Sequence, residues 1–324
     1  MIQKQPYGIQ FLILLVLLLP LIAVNLMNII SVIFFSELVD SVEMGNIGMM
    51  KAIQIVFQLL IFVVPVFIFS YLKTRNWFQY PQFKLPISGK GLLFTFFILL
   101  LSFPIIGQLN LWNQAIELPE ALSGIEAMLK SLESQAKEMT EAFLKMDNVF
   151  DLLVNLVMVG FLAGLGEELL FRGTIQKFLT EWWKNPHVAI ILTGFIFSAI
   201  HLQFYGFFPR WALGILFGYI FYWSGNIWIP IIAHALFNGL QVLVYYFASE
   251  NSSFMNDMES IESVTGDQKL VLGITAIVCT IMLTFVLRRF RQHSQHTQSI
   301  MVYKEEQNEK QSITNYGKEL DENI

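Results

Sequence analysis

A chain of 324 residues that is 55% hydrophobic, only 14% charged and has a mean hydropathy of +0.57 reads as a polytopic membrane protein. Its net charge of −5 is spread over loops and tail with no basic patch, which excludes nucleic acid as a partner. The single cysteine, Cys279, lies within an apolar run and excludes an intramolecular disulfide framework.

In chain order, the apolar runs predict eight spans, at about 9–35, 52–72, 91–109, 150–172, 187–204, 211–224, 227–248 and 270–287. The runs are continuous rather than alternating, so the fold class is all-α. The first run is too long for the apolar part of a signal peptide and shows no small-residue cleavage site, so it is expected to be retained, with a kink at Pro20. Lys4, then Lys73, Arg75, Lys84 and Lys90, then Arg288, Arg289 and Arg291 mark the basic segments. These place both termini in the cytoplasm of a multi-pass plasma-membrane protein. The opposite connections carry Glu37, Asp40 and Glu43, the stretch from Glu117 to Asp147, and Glu250, Asp257, Glu259, Glu262 and Asp267.

The spans divide the chain into membrane helices over 1–110, an extracytoplasmic connection over 111–149, a core over 150–248, an outer loop and last helix over 249–289, and a polar tail over 290–324. The tail has no apolar periodicity and is expected to lack regular structure. The connection is different. Leu122, Ile125, Leu129, Leu132, Ala136, Met139 and Phe143 recur in steps of three and four, a heptad seam. Such a helix over 122–146 suits the bilayer surface or the protein's outer face; it also suits a homodimer or a substrate-facing lid.

The chemistry concentrates in the core. Glu167 and Glu168 interrupt an apolar run, and a charge at bilayer depth costs at least a few kcal/mol unless it is paired or faces water. Neighbouring helical residues point about 100° apart, so the two acids have different tasks. Glu168 lies one turn before Arg172, the favourable order for an ion pair along one face. Glu167 is left to take a proton from water or to hold a metal. His201 follows Phe197 by one turn, which sets an aromatic wall beside the imidazole, and His234 precedes Asn238 by the same interval. A histidine and an amide on one face form a donor pair suited to an oxyanion. Taken singly, each histidine reads better as a hydrogen bond between membrane helices; the conjunction with Glu167 reverses the balance towards catalysis.

Three segments carry a resemblance: Gly166-Glu167-Glu168-Leu169-Leu170-Phe171-Arg172-Gly173, then Phe197-Ser198-Ala199-Ile200-His201, then the run from Trp228 through His234 to Asn238. In this order, each on an apolar helix, they resemble the motifs of the CPBP intramembrane proteases. That family includes the type II CAAX prenyl endopeptidases and bacteriocin-processing or self-immunity proteins. Gly214, Gly218 and Tyr222 are similar to the family's small-residue helix. The resemblance implies peptide-bond hydrolysis in or at the edge of the bilayer, on a membrane-associated peptide or protein that can be lipidated. It assigns the catalytic glutamate to Glu167, its arginine partner to Arg172, and the two histidines and asparagine to His201, His234 and Asn238. In that expectation Glu167, assisted by His201, activates water while His234 and Asn238 hold the oxyanion. No cofactor is favoured, since there is no His-Glu-x-x-His helix; the rival is zinc on Glu167, His201 and His234. A non-catalytic immunity or scaffold protein would keep the same residues as buried pairs. A proton-coupled transporter is disfavoured by the absence of a duplicated carboxylate–histidine set.

One tension follows from these bounds. Glu167 and His201 fall at opposite ends of their helices, roughly 10 Å or more apart in depth. A longer fourth helix, an earlier fifth or strong tilt would bring them together.

Overall fold

The computed structural model describes residues 5–27, 29, 47–83, 87–249 and 266–322, the side chains of 249 and 298–322 excepted. Lys4, Glu37, Asp40, Glu43, Lys84, Glu250, Asp257, Glu259 and Glu262, which bear on the topology, lie outside the described residues. Among the described residues there is no strand, and the protein is a polytopic all-α membrane protein.

The first helix, α1, is a pair, Tyr7–Leu17 and Leu19–Met27, bent by 48° beside Pro20, whose ring cannot continue a straight helix. There follow α2 (Ile47–Thr74), α3 (Gly89–Gln114), α4 (Ser123–Leu144), α5 (Val149–Trp183), α6 (Pro186–Ala199), α7 (Phe207–Ser224), α8 (Trp228–Ser249) and α9 (Gly266–Glu322). Among the described residues six of these are long and apolar enough to cross a membrane, with a seventh where the bent pair forms one span. The remaining expected span is α6, which has 14 residues and, at about 1.5 Å per residue, a length of roughly 21 Å.

The caps are local and legible. Asn148 accepts from the amides of Phe150 and Asp151 to start α5, and Asn185 does the same for His187 and Val188 with Pro186 in the first turn of α6. Gly225 ends α7 in the left-handed conformation, φ 60°.

The core is a ring in which α5 packs on α6, α6 on α7, α7 on α8 and α8 back on α5. Around it, α2 lies on α5 with α1 against α2, and α3 lies on α7 and α8 with α9 outside it. The α6–α7 crossing is close because Gly194 and Gly214 face one another: a Cβ at Gly214 would sit 2.8 Å from the Gly194 Cα.

Several bounds depart from expectation. The fourth span does not end at 172 but runs to Trp183, because the polar residues that broke the apolar run find partners for their donors inside the protein. Gln176 Nε2 donates to the Gly218 carbonyl at 3.0 Å and Lys177 Nζ to the Tyr80 carbonyl at 2.8 Å. Glu167 consequently lies in the middle of its helix. The fifth span stops at Ala199 rather than 204; just beyond it Leu202 turns left-handed, φ 55°, and Ser198 Oγ donates to the Phe207 carbonyl. The tail also differs. Its backbone continues α9 as helix to Glu322, which suits a segment rich in Gln, Glu and Lys, with Gly317 and no proline.

The helix with the heptad seam, α4, is present and packs on α2, α8 and the turn Phe204–Gly206. Leu132 faces the protein, whereas Ile125 and Met139 are exposed.

Candidate active site

Helix α5 is not a uniform α-helix. It widens to π-helical turns at Leu156–Leu162 and Phe171–Gln176, on either side of the α-helical stretch Ala163–Leu170 that carries the two glutamates. Such turns cost regular hydrogen bonding and recur where a helix must re-aim its side chains. Here the first one leaves the Val159 carbonyl to receive Asn238 Nδ2 at 3.1 Å. The second lies where Arg172 and Gln176, one turn apart, reach the carbonyls of Gly214 and Gly218, also one turn apart on α7.

Glu168 is fully buried and serves two partners through one oxygen. Arg172 Nη1 donates to its Oε1 at 2.7 Å, and His234 Nδ1 donates to the same atom at 2.8 Å. Arg172, also without exposure, gives Nη2 to Gly214 and lies over the ring of Phe197, 4.8 Å from its centroid. This fixes the imidazole of His234 and its tautomer when neutral, and leaves Nε2 as the nitrogen turned to the site. Glu167 Oε2 lies 3.8 Å from that Nε2, and the Glu167 side chain retains 17% exposure where Glu168 has none. The separation is longer than a direct hydrogen bond and suits a molecule bridging the two.

Phe197 joins the rest. His201 and His234 flank its ring at 5.2 and 6.0 Å between centroids, and Phe171 and the Arg172 guanidinium pack on it too. His201 donates Nδ1–H to the Phe197 carbonyl at 2.8 Å, so Nε2 is the nitrogen it presents. Arg172, His201 and His234 therefore gather around the Phe197 ring, and Glu167 and Glu168 join them through His234. Against the depth tension, α5 is longer and α6 shorter than expected, and Glu167 and His201 each approach the His234–Phe197 group. Asn238 is adjacent on α8, but one of its amide hydrogens is committed to Val159, which leaves the other for an oxyanion.

Among the described residues, no three His, Cys, Asp or Glu side chains are grouped as metal ligation requires. His234 Nδ1 is held by Glu168 and its Nε2 faces Glu167, an orientation that serves a bridging water and a metal ligand alike.

Three features escaped the sequence reading. One is the second task of Glu168, holding His234, which no spacing along a single helix reveals. Another is Gln176, whose signal was available: Arg172 and Gln176 share the period of Gly214 and Gly218. The third is Arg210, a lone charge in an apolar run. It donates to Gln203 Oε1 at 2.7 Å and lies close enough to Glu133 and Glu167 to feel both charges. The rule that singled out Glu167 would have found it.

Residues 149–240 match the family described as type II CAAX prenyl endopeptidase Rce1-like. The chain is also 26% identical over 90 residues to the uncharacterized protein YpbD of Bacillus subtilis (strain 168), a stretch covering 26% of this chain and 43% of that relative. No solved structure matches. The matched residues contain both glutamates, both histidines and Asn238, and over this segment the chain is similar to the Rce1-like, CPBP-type family of intramembrane proteases.

Proposed function

We propose that the protein is an intramembrane endopeptidase that cleaves a membrane-presented peptide or protein with water activated by Glu167. The observation that carries this reading is the opposition of Glu167 Oε2 and His234 Nε2 across 3.8 Å, with His234 fixed from behind by Glu168 and Arg172.

Glu167 takes a proton from a water held in that gap, and the hydroxide oxygen adds to the scissile carbonyl carbon. His201 Nε2 accepts the water's second hydrogen in a hydrogen bond. The carbonyl oxygen becomes an oxyanion, facing His234 Nε2–H in its protonated form and the remaining N–H of Asn238. The intermediate collapses as Glu167 returns its proton to the departing amine nitrogen and the C–N bond breaks. Every proton is supplied by this chain's own residues and water. Apolar helices around the ring lower the local dielectric and strengthen those donors.

A groove of about 570 Å³ between α3 and α8, lined by Phe96, Leu99, Phe103, Ile232, Phe237 and Leu240, gives an apolar chain a place beside the helix that carries His234 and Asn238. That supports a substrate presented from the lipid. The basic segments described above support placing both termini in the cytoplasm, in the plasma membrane.

The test is a comparison of membrane peptidomes from cells with the native protein and with Glu167→Ala at matched expression. Products that disappear with the variant, and reappear with chelator-treated native protein, are expected. Unchanged peptides would favour a non-catalytic immunity or scaffold role, and loss of turnover on chelation with recovery on added zinc would favour the metal form.

A further inference from the structure

Away from the protease site, a polar cavity of about 400 Å³ opens between α1, the end of α2 with its following loop, and the end of α5. We propose that it binds an anionic phosphate ester carrying a hydroxyl or amine donor, the chemistry of a glycerophospholipid headgroup. Its cations are Lys73 and Lys177, with Lys184 near its rim, 5.7 Å from the ring of Tyr7. Glu181 alone among the lining residues is acidic, so the cavity keeps a positive balance.

The lysines are held in place. Lys73 is buried, ion-paired with Glu181, and donates to the Tyr80 hydroxyl at 3.2 Å. Lys177 donates to the Tyr80 carbonyl, and both ammonium groups lie against the Tyr80 ring, at 4.5 and 4.3 Å from its centroid. An ammonium has three hydrogens, so Lys73, with two partners, retains one for an anion, and Lys177 adds its charge beside it. The donor requirement comes from Gln10. It is 2% exposed and lines the cavity, and its Oε1 has no hydrogen-bond partner among the described residues while Nε2 serves the Gln5 carbonyl. A bare inorganic anion leaves that acceptor unmet, whereas a phosphoglycerol or phosphoethanolamine group supplies both charge and donor.

The setting fits a headgroup. Tyr7 stacks on Trp182 at 6.4 Å, Trp182 on Trp183 at 6.1 Å, and Tyr71 on Trp77 at 4.5 Å. Such a cluster of amphipathic rings marks the depth of the membrane–water interface. The exposed leucines and isoleucines of α1 run from the cavity mouth into the apolar region, where acyl chains would lie.

Gln79, exposed at the cavity rim, gives a reporter. The full-length protein carrying Gln79→Cys in a Cys279→Ser background is reconstituted in phosphatidylcholine vesicles with or without phosphatidylglycerol, and its labelling by an uncharged maleimide is timed. Native mass spectrometry of the unsubstituted protein reads retained lipid in parallel. Phosphatidylglycerol is expected to slow labelling roughly fivefold and to be retained over phosphatidylcholine, with Lys177→Gln removing the preference. Equal protection by soluble glycerol 3-phosphate in phosphatidylcholine vesicles would uphold the chemistry and assign a soluble source. If neither phosphatidylglycerol nor glycerol 3-phosphate alters labelling or retention, the proposal falls. It falls equally if a folded Lys177→Gln keeps the full preference. Should that variant not fold, the labelling arm, with both lysines intact, still decides.

Discussion

Glu167 and Glu168 share a side chain and a sequence position but for one step, and packing gives them opposite fates. Glu168 is sealed between Arg172 and His234, whereas Glu167 keeps an opening to the site. Sequence spacing was enough to pair Glu168 with Arg172, since both lie on one helix. It could not show that His234, borne on α8, completes the set, because contact across helices depends on their rotation and depth. The distinction between structural and positioning roles can be measured. Glu168→Gln leaves the Arg172 charge buried without its partner and should cost about 3–5 kcal/mol, read as a lower Tm. Adding Arg172→Met should restore the Tm. Turnover should remain about 10²–10⁴-fold down, with KM little changed, because a neutral amide can turn its NH2 to His234 Nδ1 and no longer stabilises the protonated imidazole. Recovery of turnover together with stability would show that Glu168 does no more than neutralise Arg172.

Whole helices were easier to read than their edges. Continuous apolar runs located the elements, and the breaks at Pro20 and Gly225 fall where ring and left-handed backbone chemistry put them. The π-helical turns of α5 left no mark in the sequence, since they follow from how that helix must meet Asn238 on α8 and the glycine carbonyls of α7. The same glycines make a sharp comparison. At Gly214 a Cβ would meet backbone, so Gly214→Ala should force α6 and α7 apart and cost about 1–3 kcal/mol, with activity falling because Arg172 loses its carbonyl contact. At Gly107, within α3, a Cβ meets nothing within 4 Å, and Gly107→Ala should leave stability unchanged or raise it by up to about 1 kcal/mol. Thermal unfolding in detergent checks both, and equal Tm values for the two variants would contradict the close crossing.

Across the molecule, α4 closes over one end of the helical ring. Its Glu133 accepts from the Tyr205 amide at 3.2 Å and lies near Arg210. Burial pushes the Glu133 carboxyl above its ordinary value of 4.5, with Arg210 and the Tyr205 amide opposing the shift. A carboxyl raised on folding binds its proton more tightly in the folded state. Its contribution to stability is therefore present below pH 4.5 and is lost as pH climbs through the raised value. Glu133→Gln should flatten this limb of the stability profile, and an identical profile in the variant would show that α4 does not bury that carboxyl. The heptad seam predicted the helix but not its contacts, since an amphipathic face is satisfied alike by lipid, a second copy or the protein itself. Here Leu132 is turned inward while Ile125 and Met139 are left outside.

The brevity of α6 has a consequence for the bilayer itself. A rod of roughly 21 Å cannot match a hydrocarbon slab of about 30 Å, so acyl chains beside it must compress or their headgroups must sink. Such a dimple would form at the one helix that ends next to His201, thinning the oily barrier and drawing moisture inward. A hydrophilic stretch of polypeptide would then travel a shorter way through oil to reach Glu167.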